Sequence, residues 1–533
     1  MKRTFISASN FRTLFYGLAS VAVLSFTACG KDDDTTDTTG TSSTTTVTNT
    51  GTTTTASGIT IGEANLTSSS PLGNTHNGAN SADVLSSQTF ANTVTIVYNG
   101  TSATVTNNVS GVSFTQDGAN IVITSTASGV NYAVSGTTTS GSLKIYSDNL
   151  FRLSLNSANI TSTDRPAINI QSKQKAFVVV SGTNTLADAA SYTSVTSDED
   201  AKGAFFSEGD LIFSGSGSLS VAGSYKHGIV SDNYVRIADA TITVSKATSH
   251  SIQTNDAVYI DSGTLNLTAT KDGIQCEEGE IVINGGTITI NAGDDGITSS
   301  YDTDTTIAAN LTINGGTITI NATAEGLEAK RVLTINGGTI NLKTGDDAIN
   351  AGEALYFNGG KTFAYATGND AIDTNGKIGI TGGIVIAVGT AAAPETSVDA
   401  VAEDSSWETG FTITGGYLVA IGTGNTPDTP LTSSTQKTVM LGGQSGSAQI
   451  INITSDSGTE ALTFKAPVSY SHIMFSNSKI ANGTYKIYTG GSVANGEEFN
   501  GVYTSGTYSG GTSSTQFTVN GQVTTSGASN RWR

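Results

Sequence analysis

One acidic position recurs along the middle of the chain, each time followed by a small residue and then an aliphatic one. It is occupied by Asp272, Asp295, Glu325, Asp347 and Asp370. Carboxylates stacked at the spacing of neighbouring strands, about 4.8 Å, repel one another by roughly 3–4 kcal/mol at an effective dielectric constant of about 20. A Ca²⁺ ion midway between two of them would lie about 2.4 Å from each, which is a usual Ca²⁺–oxygen distance. The row is therefore a candidate calcium site, although Asp-Gly pairs also favour solvated turns for conformational reasons alone.

Further acids or amides lie directly before this row or a few residues after it. His227 and His250 take the same position earlier in the chain. They could stack, and we interpret them as structural because a Zn²⁺ site requires a third or fourth ligand. The candidate metal ligands are Asp272, Asp294, Asp295, Glu325, Glu328, Asp346, Asp347, Asn350, Asp370 and Asp373.

The acids belong to a repeated phrase that predicts the fold. INGGTITINAGDDGI, INGGTITINATAEGL and INGGTINLKTGDDAI share an Asn, a Gly pair, an alternating Thr/Ile run and an acid. A period of 22–23 residues fits three short strands with three turns, whereas WD and kelch blades need about 40–50 residues. We therefore predict an all-β, parallel β-helix of about eleven coils with β caps at both ends. The period is counted on Gly217, Ala240, Gly263, Gly286, Gly316, Gly338, Gly360, Gly383 and Gly416, with insertions in the two longer intervals.

Within each repeat, the alternation predicts which side chains are buried. In Thr287-Ile288-Thr289-Ile290, Ile is expected inside and Thr outside, because successive strand side chains point to opposite faces. The Asn residues before the Gly pairs are interpreted as structural, since stacked amides can hydrogen-bond along the array. They are Asn284, Asn314, Asn336 and Asn358.

Composition divides the rest of the chain. Residues 35–58 have almost no apolar content to bury, which predicts a disordered tether. The predicted regions are a lipoprotein signal peptide at 1–28, a lipidated Cys and Thr/Ser-rich tether at 29–82, an N-terminal β cap at 83–150, the β-helix at 151–423, a C-terminal β cap at 424–523 and a tail at 524–533.

The first residues resemble a bacterial lipoprotein signal. Lys2 and Arg3 are basic, and the apolar stretch 14–28 is shorter than the roughly 20 residues that span a bilayer. Cys29 follows small residues in FTAC and would be lipidated, and GKDDD after it resembles an export tag for the outer face of the outer membrane. We expect an outer-membrane, cell-surface protein that contacts the membrane through this lipid only. The alternative is an ordinary secretory signal followed by a polar linker.

The charge balance indicates the kind of partner. The formal net charge is −19 and the isoelectric point is about 4.5, which makes nucleic acid an unsuitable partner. A cation, or a polymer held through one, suits this charge better. Cys276 is the only cysteine besides Cys29, so the mature domain has no intrachain disulfide. We also expect a monomer.

Three insertions carry aromatic residues that are candidate sugar contacts. They lie near 188–202, 299–310 and 390–409 and contain Tyr192, Tyr301 and Trp407 respectively. Their rings could stack on sugar rings beside a flat face of the array. Packing within each loop is the alternative.

Residues 182–416 resemble the bacterial right-handed β-helix carbohydrate-binding domain family, which is related in fold to pectate lyases. The resemblance is carried by GTNTLADAASY (182–192), DEDAKGAFFSEGDLIFSGSGSLSVAGSYKHGIVSDN (198–233) and the repeated KDGI, INGGTITI and GDDGI. SYSHIMFSNSKIANGTYKIYTGG (469–491) resembles that family's C-terminal part. The resemblance implies a right-handed helix that binds cellulose-like or acidic, pectin-like polysaccharide. It implies Ca²⁺ on Asp272, Asp294, Asp295, Glu325, Asp346, Asp347, Asp370 and Asp373.

Three functions fit these observations. The first is a non-catalytic surface glycan-binding protein, with Tyr301, Trp407, Lys330 and Arg331 as candidate ligand contacts. The second is an enzyme, either a Ca²⁺-dependent lyase with Lys330 or Arg331 as its base or a glycosidase with paired carboxylates. The polygalacturonase Asn-Thr-Asp and Gly-His-Gly motifs are absent, and an acid on nearly every repeat favours architecture over one active site. The third is a structural surface adhesin.

Overall fold

The computed structural model describes residues 56–62, 66–195, 199–400, 409–444, 446 and 448–527, and these are nearly all in β-strands and turns. The described helices are two single 3₁₀ turns, Ser81–Asp83 and Leu85–Ser87. None of the described residues forms a helix that is long and apolar enough to cross a membrane. The predicted all-β class is thereby confirmed.

Strands of successive repeats pair in parallel and form three ladders. Ladder A is a 12-stranded sheet whose first strand pairs antiparallel and whose later strands pair in parallel. Its strands are Val112–Asp117, Ala119–Ser125, Gly141–Ser147, Ile168–Ile170, Gly203–Ser207, His227–Ser231, Ile252–Thr254, Ile274–Cys276, Ile297–Ser299, Leu327–Ala329, Ile349–Ala351 and Ile372–Thr374.

Ladders B and C follow ladder A within each repeat. Both start from Asn92–Asn99, which pairs antiparallel with Ser102–Thr106 and in parallel with Val130–Thr138. Three long strands, Phe151–Thr161, Leu211–Gly223 and Tyr234–Ala247, run through both ladders. Ladder B also contains Ala176–Ser181, Ala257–Ile260, Glu280–Ile283, Leu311–Ile313, Val332–Ile335, Ala354–Phe357, Lys377–Ile380 and Gly410–Ile413. Ladder C also contains Thr183–Ala187, Thr264–Ala269, Thr287–Ala292, Thr317–Ala322, Thr339–Thr344, Lys361–Ala366, Ile384–Gly389 and Tyr417–Gly422.

The Thr/Ile alternation acts as predicted. Ile288 pairs with Ile318, which pairs with Ile340, and all three are fully buried. Burying each such side chain contributes about 1.5–3 kcal/mol. Thr287 and Thr317, which directly precede Ile288 and Ile318, are exposed. One face of each strand therefore builds the core.

The second glycine of each pair is required by the turn. Gly286 has a φ of +89°, and a Cβ there would lie 3.0 Å from the carbonyl oxygen of Gly263 in the preceding repeat. Glycine adopts this left-handed conformation at no steric cost. The turn can therefore stack closely on the one before it.

The amides of the Asn row stack as expected. Three of the four Nδ2 groups donate to the Oδ1 of the Asn in the preceding repeat, and that of Asn284 donates to Asp261 Oδ1, which confirms the structural interpretation. The bonds run from Asn314 to Asn284 (2.9 Å), from Asn336 to Asn314 (2.8 Å) and from Asn358 to Asn336 (2.8 Å).

A segment that we call the strap, residues 66–91, lies along this Asn row. The same amides donate to strap carbonyls, for example Asn358 to Leu72 at 2.7 Å and Asn284 to Asn77 at 2.9 Å. At its far end, buried Asp83 accepts from Arg236 Nε at 2.7 Å. The structure thus differs from the tether predicted for 29–82, because residues 66–82 hydrogen-bond to the array through backbone groups that sequence periodicity does not reveal.

The C-terminal residues pack on the last repeats. There the outward face of ladder C turns apolar, and Ile384, Tyr417 and Ile421 are buried against a second core. Thr438–Leu441, His472–Ser476 and Val523–Ser526 extend ladder C. The remaining strands form a six-stranded sheet of Glu498–Phe499, Val502–Tyr503, Glu460–Lys465, Ile450–Ser455, Gly483–Thr489 and Thr512–Val519, and a three-stranded sheet of Ser57–Thr60, Ser505–Ser509 and Ser492–Ala494.

Candidate functional site

The recurring acids lie two residues before the strands of ladder A. The register of that ladder aligns Ile274 with Ile297, Leu327, Ile349 and Ile372. Because the pairing is parallel and in register, the residue two positions before each strand occupies the same edge of the array. The structure therefore brings Asp272, Asp295, Glu325, Asp347 and Asp370 into one row, which we call the acid row.

Members of the acid row bond to the backbone of the next repeat. One carboxylate oxygen accepts the backbone N–H of the equivalent residue one repeat further on. This gives the acids a structural role that sequence periodicity did not reveal. The donor and acceptor pairs are Asp295 N to Asp272 Oδ1 (3.2 Å), Glu325 N to Asp295 Oδ1 (3.0 Å), Asp370 N to Asp347 Oδ1 (2.9 Å) and Thr396 N to Asp370 Oδ1 (2.5 Å).

The two histidines make the same kind of bond with a ring nitrogen. His227 Nδ1 accepts from His250 N at 3.3 Å, and His250 Nδ1 accepts from Asp272 N at 3.2 Å. Their rings stack with centroids 5.1 Å apart and an interplanar angle of 12°, as their shared position predicts. Burial lowers the pKa of His227 to about 2, so this ring is neutral at physiological pH.

Burial gives several acids of the row an unusually high pKa. Burial, and then the charge of neighbouring Asp346, raise the pKa of Asp347 to about 7. Burial and then Asp347 raise that of Asp370 to about 8, against the opposing effect of the Thr396 hydrogen bond. Burial and the adjoining Glu325 also raise the pKa of Asp295. A proton or a cation near this row would relieve the repulsion.

A second set of candidate oxygen ligands lies outside the acid row. Asp294 is exposed and Asp346 is half-buried. Partial burial and the charge of Asp272 raise the pKa of Asp294. Glu328, Asn350 and Asp373 occupy equivalent positions on neighbouring strands of ladder A. Asn350 Nδ2 donates to Asp347 Oδ2 at 3.0 Å and to Asp373 Oδ2 at 3.3 Å.

The ten predicted metal ligands lie on successive repeats, five of them in the acid row and five outside it. Among the described residues, no three His, Cys, Asp or Glu side chains gather in a metal-binding group. The carboxylates are instead spread one or two per repeat along the edge of ladder A.

The two predicted cationic contacts are engaged with acids. Lys330 Nζ donates to Glu328 Oε1 at 2.8 Å, and Arg331 Nε lies 2.9 Å from Glu353 Oε1. Burial lowers the pKa of Lys330, but the nearby Glu328 charge outweighs it and the pKa is raised overall. A lysine that stays protonated at neutral pH is poorly suited to act as a general base.

The predicted aromatic contacts differ in position. Tyr301 is half-buried in the insertion between Ser299 and Leu311. Trp407 and the lipidation candidate Cys29 lie outside the described residues. Tyr192 stacks on Tyr225, with ring centroids 4.1 Å apart and an interplanar angle of 27°.

Sequence reasoning missed Tyr225. Its side chain is 41% exposed, whereas its partner Tyr192 is partly buried beneath it. The predicted aromatic contacts all lie in the three insertions, whereas Tyr225 lies in a turn of the array. Its position two residues before His227, at the start of a ladder A strand, is the signal that marks it.

Residues immediately before the acid row form a parallel line, which we call the edge row. Backbone bonds join Ser249 N to Lys226 O (2.7 Å) and Lys271 N to Ser249 O (3.1 Å). The line continues with Asp294, whose carbonyl accepts from Ala324 N at 3.2 Å. Asp346 N then donates to Ala324 O at 3.3 Å. The edge row is thus basic in its N-terminal half and acidic in its C-terminal half.

One comparison with known proteins, a family model, agrees with a carbohydrate ligand. Residues 117–371 match the family model described as carbohydrate-binding domain-containing protein. This segment includes the acid row and the edge row, and the match supports carbohydrate binding with a polysaccharide as the partner.

One solved structure is also similar. It is the polysaccharide lyase-like protein from C. thermocellum, in a gadolinium derivative, with 25% sequence identity and a TM-score of 0.38. The alignment covers 50% of this chain and 96% of that chain. A comparison with curated proteins finds no match.

Proposed function

We propose that the protein is a non-catalytic, cell-surface lipoprotein that binds plant-type or acidic polysaccharide, cellulose-like or pectin-like, through Ca²⁺ on stacked carboxylates. The observation that carries the proposal is the alignment of carboxylates on successive repeats within the segment that matches the carbohydrate-binding family model. The raised pKa values of Asp294, Asp347 and Asp370 support it, because burial and neighbouring acids disfavour the charged carboxylates and a bound cation would favour them.

The donor set fits Ca²⁺, which prefers carboxylate, carbonyl and water oxygens. In the acid row, one oxygen of most acids already accepts a backbone N–H. We therefore assign metal binding chiefly to the outer carboxylates of Asp294, Glu328, Asp346 and Asp373, of which Glu328 also pairs with Lys330 and Asp373 also accepts from Asn350. Such an ion would supply a positive charge between protein and glycan, and the glycan's own oxygens and water would complete its coordination.

We infer that the three ladders wind as a right-handed parallel β-helix of about eleven coils with β caps at both ends. The support is the parallel pairing of equivalent strands from one repeat to the next in all three ladders. A measured crystal structure of the chain would show the hand and the number of coils directly.

Surface anchoring through Cys29 is a further part of the proposal. It is supported by FTAC followed by GKDDD. Metabolic labelling with a fatty acid should mark the wild-type protein and leave Cys29→Ala unlabelled. Protease treatment of whole cells should degrade the protein; full protection would contradict surface exposure.

The non-catalytic assignment is supported by the ion pairs of Lys330 and Arg331, which leave each cation occupied by a carboxylate. The alternative is a Ca²⁺-dependent lyase or a glycosidase. Incubation with pectin and Ca²⁺ at neutral pH should produce neither unsaturated nor new reducing ends, and their appearance would establish the enzyme.

Retention on insoluble polygalacturonate and cellulose tests the binding proposal. Wild-type protein should be retained on at least one of them in Ca²⁺ and show much weaker retention in chelator. The double variant Asp294→Asn, Asp346→Asn should behave in Ca²⁺ as the wild type does in chelator. Asp148→Asn is the matched control, since Asp148 is an exposed acid outside both rows. Failure of the wild type to bind any polysaccharide would overturn the proposal.

A further inference from the structure

Tyr225 presents an aromatic ring to solvent on a rigid support. The ring is 41% exposed and stacks on Tyr192 at 4.1 Å. A stacked pair leaves the second face of the outer ring available to a ligand. Exposed aromatic rings held in place lose little conformational freedom when a ligand packs on them.

One buried carboxylate fixes both members of the pair. Asp188 is 6% exposed, and its Oδ1 accepts from Ser224 N at 2.5 Å. Its Oδ2 accepts from Tyr225 N at 3.4 Å and from the Tyr192 hydroxyl at 2.6 Å. The Tyr192 hydroxyl also lies 3.0 Å from the carbonyl oxygen of Gly203. The turn that carries Tyr225 and the ring beneath it are therefore held by a single side chain.

Two exposed lysines lie beside this ring. Lys226 follows Tyr225 in the chain, and Lys271 lies two repeats further along the edge row, about 9.6 Å away at the usual strand spacing. Neither lysine forms an ion pair within the described part of the chain. In a protein with a formal net charge of −19, an exposed aromatic ring beside two exposed lysines is a distinctive local surface.

We propose that Tyr225, Lys226 and Lys271 form a second carbohydrate subsite, which binds an anionic pyranose and needs no metal ion. The apolar face of a sugar ring packs on Tyr225, and the lysines bind carboxylates of the same or the neighbouring sugar. This inference rests on the proposed function for its ligand class, an acidic polysaccharide. It differs in the binding chemistry, because the cation is supplied by the chain itself.

Isothermal titration of the full chain with an oligogalacturonate, in chelator and at low salt, tests the subsite. We expect measurable binding without Ca²⁺. Tyr225→Ala should weaken it by about tenfold or more, as truncation of an aromatic anchor does in other interfaces. Tyr225→Phe, which keeps the ring, should bind within about twofold of wild type. Lys226→Gln with Lys271→Gln should weaken binding and reduce its salt dependence.

The outcomes separate the two proposals. Loss of all oligogalacturonate binding in chelator would overturn the subsite while leaving Ca²⁺-dependent binding in place. Binding in chelator that is unchanged in Tyr225→Ala, with the variant's melting temperature also unchanged, would likewise overturn it. A neutral cello-oligosaccharide of equal length should bind more weakly at this subsite, and equal affinity would contradict the role of the lysines.

Discussion

The two halves of the edge row share one backbone and differ in charge. Lys226, Ser249 and Lys271 occupy the N-terminal half, and Asp294, Ala324 and Asp346 occupy the equivalent positions further on. The parallel register gives every repeat the same geometry, so only the side chain at this position changes. The repeat therefore determines where a ligand can lie, whereas the residue at one position per repeat determines which charge that ligand would meet.

The residues that directly follow the edge row in the chain also differ between the two halves. In the N-terminal half, neutral His227 stacks on His250, and burial lowers the pKa of His227. In the C-terminal half, burial and neighbouring acids raise the pKa of Asp347 and Asp370. Burial therefore disfavours a positive charge on His227 in one half and a negative charge on Asp347 and Asp370 in the other.

The largest expected effect is on the free energy of unfolding and concerns Asp188, which supports Tyr192 and Tyr225 in the N-terminal half. Asp188→Ala removes a buried acceptor from two backbone N–H groups and one hydroxyl, which should lower the free energy of unfolding by roughly 2–4 kcal/mol. Asp188→Asn should lose less, because its Oδ1 can still accept from Ser224. Denaturant unfolding measures both variants. Equal stability of Asp188→Ala and wild type would show that the stacked pair of Tyr192 and Tyr225 is not held in this way.

Charge reversal should distinguish the two halves of the edge row by its effect on oligogalacturonate binding. Lys226→Glu with Lys271→Glu should weaken oligogalacturonate binding in chelator by about 100-fold, or about 2.7 kcal/mol, because two attractive charges become repulsive. Lys343→Glu with Lys465→Glu, which reverses two exposed lysines outside the edge row, is the control with the same change in net charge and should change little. Equal weakening by the control would mean that only net charge matters, and the distinction between the halves would fail.

Acidification should affect the two halves in opposite directions. The folded pKa of Asp370, about 8, lies above its unfolded value of about 3.9, so its contribution to stability is present at low pH and is lost as pH rises through 8. In chelator, Asp370→Asn should therefore gain stability relative to wild type between pH 5 and 7, by roughly 2 kcal/mol. Thermal melting across this range measures the difference; parallel curves for the two proteins would contradict the pKa shift.

The converse holds for His227. Its folded pKa of about 2 lies below the unfolded value of about 6.5, so the wild type should lose stability as pH falls below 6.5. His227→Gln lacks this titration and should lose roughly 2 kcal/mol less between pH 6.5 and 5. The same melting experiment applies. A steeper acid loss in the variant than in the wild type would contradict the account.

Much of the array follows from local sequence, because strand alternation and turn glycines act within one repeat. The burial of Ile288 and the amide stack of Asn314 were both predicted. The strap was not, since residues 66–91 bind through backbone carbonyls and carry no periodic apolar pattern. The hydrogen-bond partners of the acid row were not predictable either. Periodicity shows that Asp347 recurs, but it does not show that Oδ1 accepts the N–H of Asp370.

A crystal structure of the chain with saturating Ca²⁺ and a bound oligogalacturonate tests the central claim most directly. We expect calcium density on the outer carboxylates of the C-terminal half, among Asp294, Glu328, Asp346 and Asp373, with sugar oxygens completing the coordination. We expect no calcium beside Lys226. Sugar bound with no ion near these carboxylates, or calcium confined to another part of the molecule, would contradict the claim that the acidic half binds glycan through a metal.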